Sequence, residues 1–316
     1  MEINFDIQRF GSGRFDADIW STYKSSHIDH KTTKEIFSTH KADNDFMPTA
    51  NMIRESCDSE DNPNSTPIII ACDVSGSMSP ILDRVIRTEL PELITQIYDR
   101  KPVTDPHLMF MGVGDVEAGD NYPLQVTQFE ADIRIAEQLQ KIYLEEGGGG
   151  NDHESYLLPL WFAKHHTKVD SFLKRGKKGY IFTMGDEEPQ TELSKKMIQE
   201  AIPNEVVQFD NISADDLITD VSKEWNIFHL VLEEGHYFRR WGGKECANKW
   251  KELYGQKALF VSDIKKISEI ITSTIQIIEG ESKDKVLKSW DNSTALVVRH
   301  AIQNLANANN TELVEF

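Results

Sequence analysis

The chain has 316 residues, enough for one large domain or two small ones, and it is acidic: 52 Asp and Glu face 34 Lys and Arg, a formal charge of −18. Binding a phosphate backbone needs a basic face, so this balance argues against nucleic acid as a partner. Its three cysteines, Cys57, Cys72 and Cys246, are odd in number and widely spaced, which fits neither a disulfide framework nor a zinc pattern and implies a reducing, cytoplasmic setting.

Residues 1–64 read as an N-terminal extension. Ile3, Phe5 and Ile7 alternate like an edge strand or docking arm, and 14–66 is polar with few apolar anchors, which predicts an irregular segment wrapped on the domain. There is no basic stretch followed by an apolar core, so no signal peptide is expected. No apolar run approaches the roughly 20 residues of a membrane span, so no membrane contact is expected either.

Ile68–Cys72 is a short apolar run, read as a buried strand. Asp73, Ser75 and Ser77 follow at alternate positions, which point the same way in extended chain, so one carboxylate and two hydroxyls can converge. Hard oxygen donors with few carboxylates suit Mg²⁺, and the same set can take Mn²⁺ or Ca²⁺. Gly76 permits a tight turn, and Ser79-Pro80 reads as N-cap plus first helical residue. The plainer alternative is a turn whose serines only cap the next helix.

Ile81, Leu82, Val85, Ile86, Leu90, Leu93, Ile94 and Ile97 predict a long amphipathic helix with Pro91 as a kink site. Leu108–Val113 is the next strand, ending in Gly114-Asp115. Gln125–Phe129 reads as a short antiparallel edge strand, and Ile135, Leu139, Ile142 and Tyr143 line a helix. Gly147–Gly150, costly to order, lead into Asn151-Asp152-His153-Glu154-Ser155. Tyr156–His166 reads as a helix with Pro159 disturbing its first turn. Gly179–Thr183 is a strand ending in Met184-Gly185-Asp186-Glu187-Glu188.

Ser213 and Asp216 resemble a capping box for a helix running to Trp225. A strand at Ile227–Leu232 leads into Gly235–Gly243, whose Tyr237, Phe238, Arg239, Arg240 and Trp241 are aromatic and basic in an acidic chain. Tyr, Trp and Arg favour binding surfaces, so this loop is a candidate partner contact; packing of its rings on the sheet edge is the alternative. A helix at Glu245–Tyr254, a strand at Ala258–Val261, a helix from Ile264 to Ile278, a charged linker at 281–289 and a helix at Asn292–Asn307 complete the chain.

Strands starting near 68, 108, 179, 227 and 258, separated by helices, predict an α/β fold with a doubly wound, mostly parallel sheet, six-stranded with the edge strand. In such sheets ligands bind beyond the carboxyl ends of the strands, where the strand order reverses. Asp73, Asp115 and Asp186 all follow strands on that side.

Asp73-x-Ser75-x-Ser77 after an apolar strand resembles the metal-ion-dependent adhesion site (MIDAS) of von Willebrand factor A (vWA) domains, and the likeness runs over residues 65–280, with 281–316 left as linker and C-terminal helix. The resemblance implies a Rossmann-like fold and a bound Mg²⁺ whose coordination is completed by an acidic residue of a protein partner. It also puts Asn151 where the family has a metal-binding threonine. The family's Thr-Asp-Gly, with its water-linked aspartate, is Thr183-Met184-Gly185 here, so Asp186 is the candidate replacement, with Glu187 or Glu188 as alternatives. The nearest kinds are intracellular vWA proteins of bacteria and phages. Some of these act beside AAA+ ATPases, so such a complex is a candidate partner; the chain has no G-x-x-x-x-G-K-[ST] loop of its own. A non-enzymatic binding module is therefore expected. A metal-dependent hydrolase using Asp115, His153 or Glu187 as base, and an assembly protein with a purely structural metal, are the competing readings.

Overall fold

Thr66–Asp73 (β1) is buried along its whole length. A strand with apolar side chains on both faces must lie inside a sheet covered on both sides. The computed structural model, which describes residues 17–36, 41–75, 78–145 and 152–306, places it there. With Pro106–Val113 (β2), Leu124–Val126 (β3), Gly179–Gly185 (β4), Trp225–Leu232 (β5) and Ala258–Val261 (β6), it forms a six-stranded sheet of order β6-β5-β4-β1-β2-β3. All neighbours run parallel except β3, which pairs antiparallel at the edge, Met111 facing Val126. In register, Ile70 lies between Phe110 and Phe182. The chain leaves β1 for β2 on one side and returns to β4 on the other, so the strand order reverses at β1.

The alternation of β1 divides the core. Ile68, Ile70, Cys72 and the following Val74 face one layer of helices. That layer carries Leu93, Ile94 and Ile97 of Leu90–Arg100, Ile270, Ile271 and Ile275 of Ile267–Ile278, and Val298 and Ala301 of Asn292–Ala301. Ile69 and Ala71 face the other layer, with Leu160 and Phe162 of Leu158–His165, Leu217 and Val221 of Ala214–Val221, and Trp250 of Gly243–Tyr254, called α1 below. This is the doubly wound α/β arrangement that the sequence predicts. No helix among the described residues is long and apolar enough to cross a membrane.

Several local expectations change. Ser79 is the first residue of a helix, Ser79–Arg84, rather than its cap; Met78 holds the cap position in helical backbone, without a side-chain hydrogen bond. The long helix breaks into Ser79–Arg84, a π turn at Val85–Glu89 and Leu90–Arg100. Pro91 has no N–H to donate to the carbonyl four residues back, so the ladder shifts there. Ser213 does cap a helix through the Asp216 N–H at 3.1 Å, but that helix ends at Val221 and Trp225 opens β5 instead. The stretch read as a charged linker contains a helix, Lys283–Lys288, which buries Val286 and Leu287 against the first core.

The N-terminal extension is less irregular than expected. Ala17–His27 is a helix, and Arg54–Ser56 pairs parallel with Thr167–Val169. The buried Arg54 guanidinium donates to the Val126 carbonyl of β3 at 2.8 Å and to the carbonyl of Asp45, so the extension is tied to the sheet edge. The Ile3–Ile7 alternation, Gly76, Ser77, Gly147–Gly150 and Asn151 lie outside the described residues.

Candidate metal centre

β1 ends in Asp73, whose side chain is fully buried. Its Oδ1 accepts the Ser75 backbone N–H at 2.7 Å, and the Ser75 hydroxyl also hydrogen-bonds to the carboxylate. This local turn folds the loop back over the strand end. Among the described residues, nothing donates to Oδ2. A buried carboxylate oxygen left bare is costly, so its chemical surroundings matter.

β4 ends in Gly185, and Asp186 follows, 1% exposed. Its Oδ2 accepts the Tyr237 N–H at 2.6 Å, while Oδ1 has no donor among the described residues. Two close approaches set this position. A Cβ on Gly185 would lie 1.8 Å from the Tyr156 hydroxyl, and one on Gly235 would lie 2.0 Å from the Asp186 Cβ. Only glycine lets the chain pass at either place. Behind the loop, the Trp250 indole N–H donates to the Glu187 carbonyl at 2.8 Å, and the Cys246 thiol donates to the same oxygen at 3.3 Å.

The segment bearing the four glycines is held at both described ends. Before it, the Glu145 N–H donates to the Val74 carbonyl at 3.1 Å. After it, the Glu188 N–H donates to the Asp152 carbonyl at 2.9 Å, and the Ser155 N–H to the Gly114 carbonyl at 3.2 Å. Glu145 therefore lies beside the end of β1, and residues 152–155 lie between the ends of β2 and β4. Ser75, Asp73 and Asp186 are thus brought to one place at the strand-order reversal, while Ser77 and Asn151 lie outside the described residues.

Other candidates have local occupations. Asp115 accepts the N–H groups of Glu117 at 2.9 Å and Ala118 at 3.1 Å, closing its own loop. His153 pairs with Glu117 at 2.7 Å, and Glu188 pairs with Lys249. The Cys57 thiol is held above its ordinary pKa by burial and by the Asp170 and Glu55 charges, the reverse of an activated nucleophile.

The sequence reading assigned no role to Glu154 or Tyr156. Glu154 is 4% exposed and its Oε2 has no donor among the described residues; the same holds for the buried Tyr156 hydroxyl. Burial pushes the Glu154 carboxyl far above the usual range, and the Asp73, Glu187 and Asp115 charges add to it. Glu187 is pushed up to about 8 by burial and then by Asp73 and Asp186. Asp73 rises through burial; its Ser75 hydrogen bonds oppose this and the Asp186 charge adds to it. Asp186 also rises through burial, against the N–H groups of Tyr237 and Phe238. These carboxyls share a poorly solvated space with too little positive charge. Glu154 stands inside the polar run after the glycines and Tyr156 just beyond it, and nothing in that local pattern marks either as buried.

In the candidate partner loop, Tyr237 and Phe238 are half-buried against the second core, and Phe238–Gly242 forms a π turn. Arg239 and Arg240 are exposed. The rings thus pack and the guanidiniums face out, so each reading holds for part of the loop; the Trp241 side chain lies outside the description.

The donors available at the strand ends fit a small hard cation. Two carboxylate oxygens, Asp73 Oδ2 and Asp186 Oδ1, are buried and bare, and a hydroxyl residue stands beside the first. Among the described residues, no three His, Cys, Asp or Glu side chains converge as a metal-holding group; a hydroxyl-rich site with one direct carboxylate needs no such trio.

No family model matches the chain, and no curated protein matches it. Among solved structures it is similar to the pilus adhesin SpaC of Lactobacillus rhamnosus GG, at 9% identity and a TM-score of 0.43 over 73% of this chain and 31% of that one. The open conformation of the same adhesin gives 10% identity and a TM-score of 0.42. The conserved hypothetical protein BatB of Bacteroides thetaiotaomicron gives 16% identity and a TM-score of 0.31, over 53% of this chain and 66% of that one. The chain spans 31% of the adhesin's length, and likenesses this remote carry no argument about function.

Proposed function

We propose that this chain is a vWA-type, metal-dependent protein-binding module of the cytoplasm rather than an enzyme. One observation carries the reading: Asp73 Oδ2 and Asp186 Oδ1, at the ends of two adjacent parallel strands, are both buried and both without a donor among the described residues. Mg²⁺ is the proposed ion. Asp73, Ser75 and Ser77 would hold it directly, with Asn151 and a water-linked Asp186 completing the protein's share. When bound, the ion supplies an electrophilic position for a carboxylate from a protein partner. Few direct carboxylates keep that position attractive to a foreign acid. The chain's own residues orient the two carboxylates, through the Ser75 N–H on Asp73 and the Tyr237 N–H on Asp186.

Two of the three candidate bases for hydrolysis are engaged elsewhere, which leaves Glu187 as the remaining one and supports a binding role. Asp115 is occupied by two backbone N–H groups, and His153 by Glu117. A partner within an AAA+ ATPase complex is compatible with this reading.

The test is isothermal calorimetry with MgCl₂ on the intact chain and on Asp73→Ala. Saturable binding in the first and none in the second is expected. Equal heats in both overturn the reading.

A further inference from the structure

Beside Asp186 the surface changes sign. A shallow, open cleft of about 480 Å³ is lined by Phe238, Arg239, Arg240, Gly243, Lys244, Glu245 and Asn248. Arg239, Arg240 and Lys244 are exposed, in a chain whose formal charge is −18. The cleft is mechanically continuous with the metal centre. Its first wall follows directly from Tyr237, whose N–H holds the Asp186 carboxylate. Its second wall is the start of α1, which also carries Cys246 and Trp250, the two donors to the Glu187 carbonyl.

Resting on the function proposed above, we infer that the cleft seats a second acidic side chain of the same partner segment, so that the protein reads an acidic peptide at two points. One carboxylate goes to the metal position. Another enters the cleft, where Lys244 and Arg240, the latter braced by His236 at 3.4 Å, supply charge beside an Arg239 paired with Glu234 at 3.4 Å; Asn248 supplies an amide donor, and the Phe238 ring gives an apolar wall for the intervening chain. Charge complementarity selects this occupant: like charges repel across most of the surface, and the basic cleft is where an acidic segment is favoured. Arginine's fork suits a carboxylate in two-point contact. The one acidic residue of the lining, Glu245, lies 3.5 Å from Lys249, which offsets its charge.

The probe is a fluorescein-labelled hexa-aspartate peptide, read by fluorescence anisotropy against the full chain in Mg²⁺ or EDTA, at low and high salt. A second peptide keeps one aspartate and replaces the others with asparagine. Lys244→Glu, Arg240→Glu and the milder Lys244→Gln are compared with Asp73→Ala, each checked for native circular dichroism. Hexa-aspartate should bind in Mg²⁺, weaken about tenfold in either charge-reversed variant, and weaken less in Lys244→Gln. The single-aspartate peptide should be indifferent to Lys244→Glu. If Mg²⁺-dependent binding persists unchanged in the reversed variants, the cleft has no part in recognition, while the metal-dependent function stands. If charge reversal weakens binding but Mg²⁺ and Asp73→Ala do not matter, the cleft stands and the metal-dependent function falls. Failure of hexa-aspartate to bind at all overturns the two-point reading. So does tighter binding of an oligonucleotide or a phosphatidylserine vesicle, because the cleft would then take phosphate rather than an acidic peptide.

Discussion

A β-carbon on Gly235 would lie 2.0 Å from the Cβ of Asp186 and 2.4 Å from its Oδ2. The loop after β5 is thus pressed against the carboxylate, with the Tyr237 N–H bonded to it. Gly235→Ala must push the two apart. Overpacking of this kind costs about 1–3 kcal/mol. The variant should unfold at lower urea than the parent and should need more Mg²⁺ for the same rise in melting temperature. An unchanged urea midpoint would mean that the loop yields freely.

Asp73→Asn removes a buried charge and keeps an oxygen for the Ser75 N–H. Without metal, the variant should be at least as stable as the parent, because an ionised carboxylate in that space is disfavoured by burial and by Asp186. Mg²⁺ should stabilise the parent by about 2.7 kcal/mol at a hundredfold excess over its dissociation constant, and the variant hardly at all. Thermal melts with and without Mg²⁺ decide it; a full response in Asp73→Asn removes Asp73 from the ligand set.

Trp250→Phe deletes the indole N–H that holds the Glu187 carbonyl at 2.8 Å but keeps a ring to stack on His229. The loss should be about 1.5–3 kcal/mol in denaturant unfolding, one hydrogen bond plus the cavity left by the smaller ring at a fully buried position. Mg²⁺ affinity should fall as well, since Asp186 adjoins the loosened carbonyl. Reduced stability with unchanged Mg²⁺ affinity would show that the indole supports the core alone.

His107 supplies an acid-labile element away from the candidate metal centre. It is fully buried beside the Ser56 hydroxyl, and burial lowers its pKa from 6.5 to about 4. A neutral imidazole in the fold binds its proton less readily than the unfolded chain does. Its contribution is therefore complete above pH 6.5 and is lost as the pH falls toward about 4. Between pH 7 and 5 this is worth about 2 kcal/mol. His107→Gln should flatten the pH dependence by that amount in urea titrations. An equal slope in parent and variant would assign acid sensitivity elsewhere.

Most of the architecture is legible from apolar runs, because a strand buried on both faces has few other readings. Ala258–Val261 is found at the bounds its residues predict, and the run Gln125–Phe129 does mark the antiparallel edge. The errors come where local pattern is overruled. Lys283–Lys288 looks like a linker because four of its six residues are charged, yet Val286 and Leu287 are enough to dock it. Trp225 looks like a helix end but is buried in a strand. Asp73 and Asp186 can be found from their places after strands. Glu154 and Tyr156 cannot, because their burial depends on how three loops meet, and spacing within one segment does not report that.

α1 has one further implication. Lys244 and Asn248 look outward from the same rigid rod whose Cys246 and Trp250 grip the Glu187 carbonyl from behind. The same helix thus touches both places, so a coupling between a cation at Asp186 and an occupant of the surface would run through it. By linkage, whatever the occupied surface does to the hold on a cation, the cation must do to the hold on the occupant, by the same factor. Chelation would then act as a release signal, and the protein could let go of its cargo without unfolding.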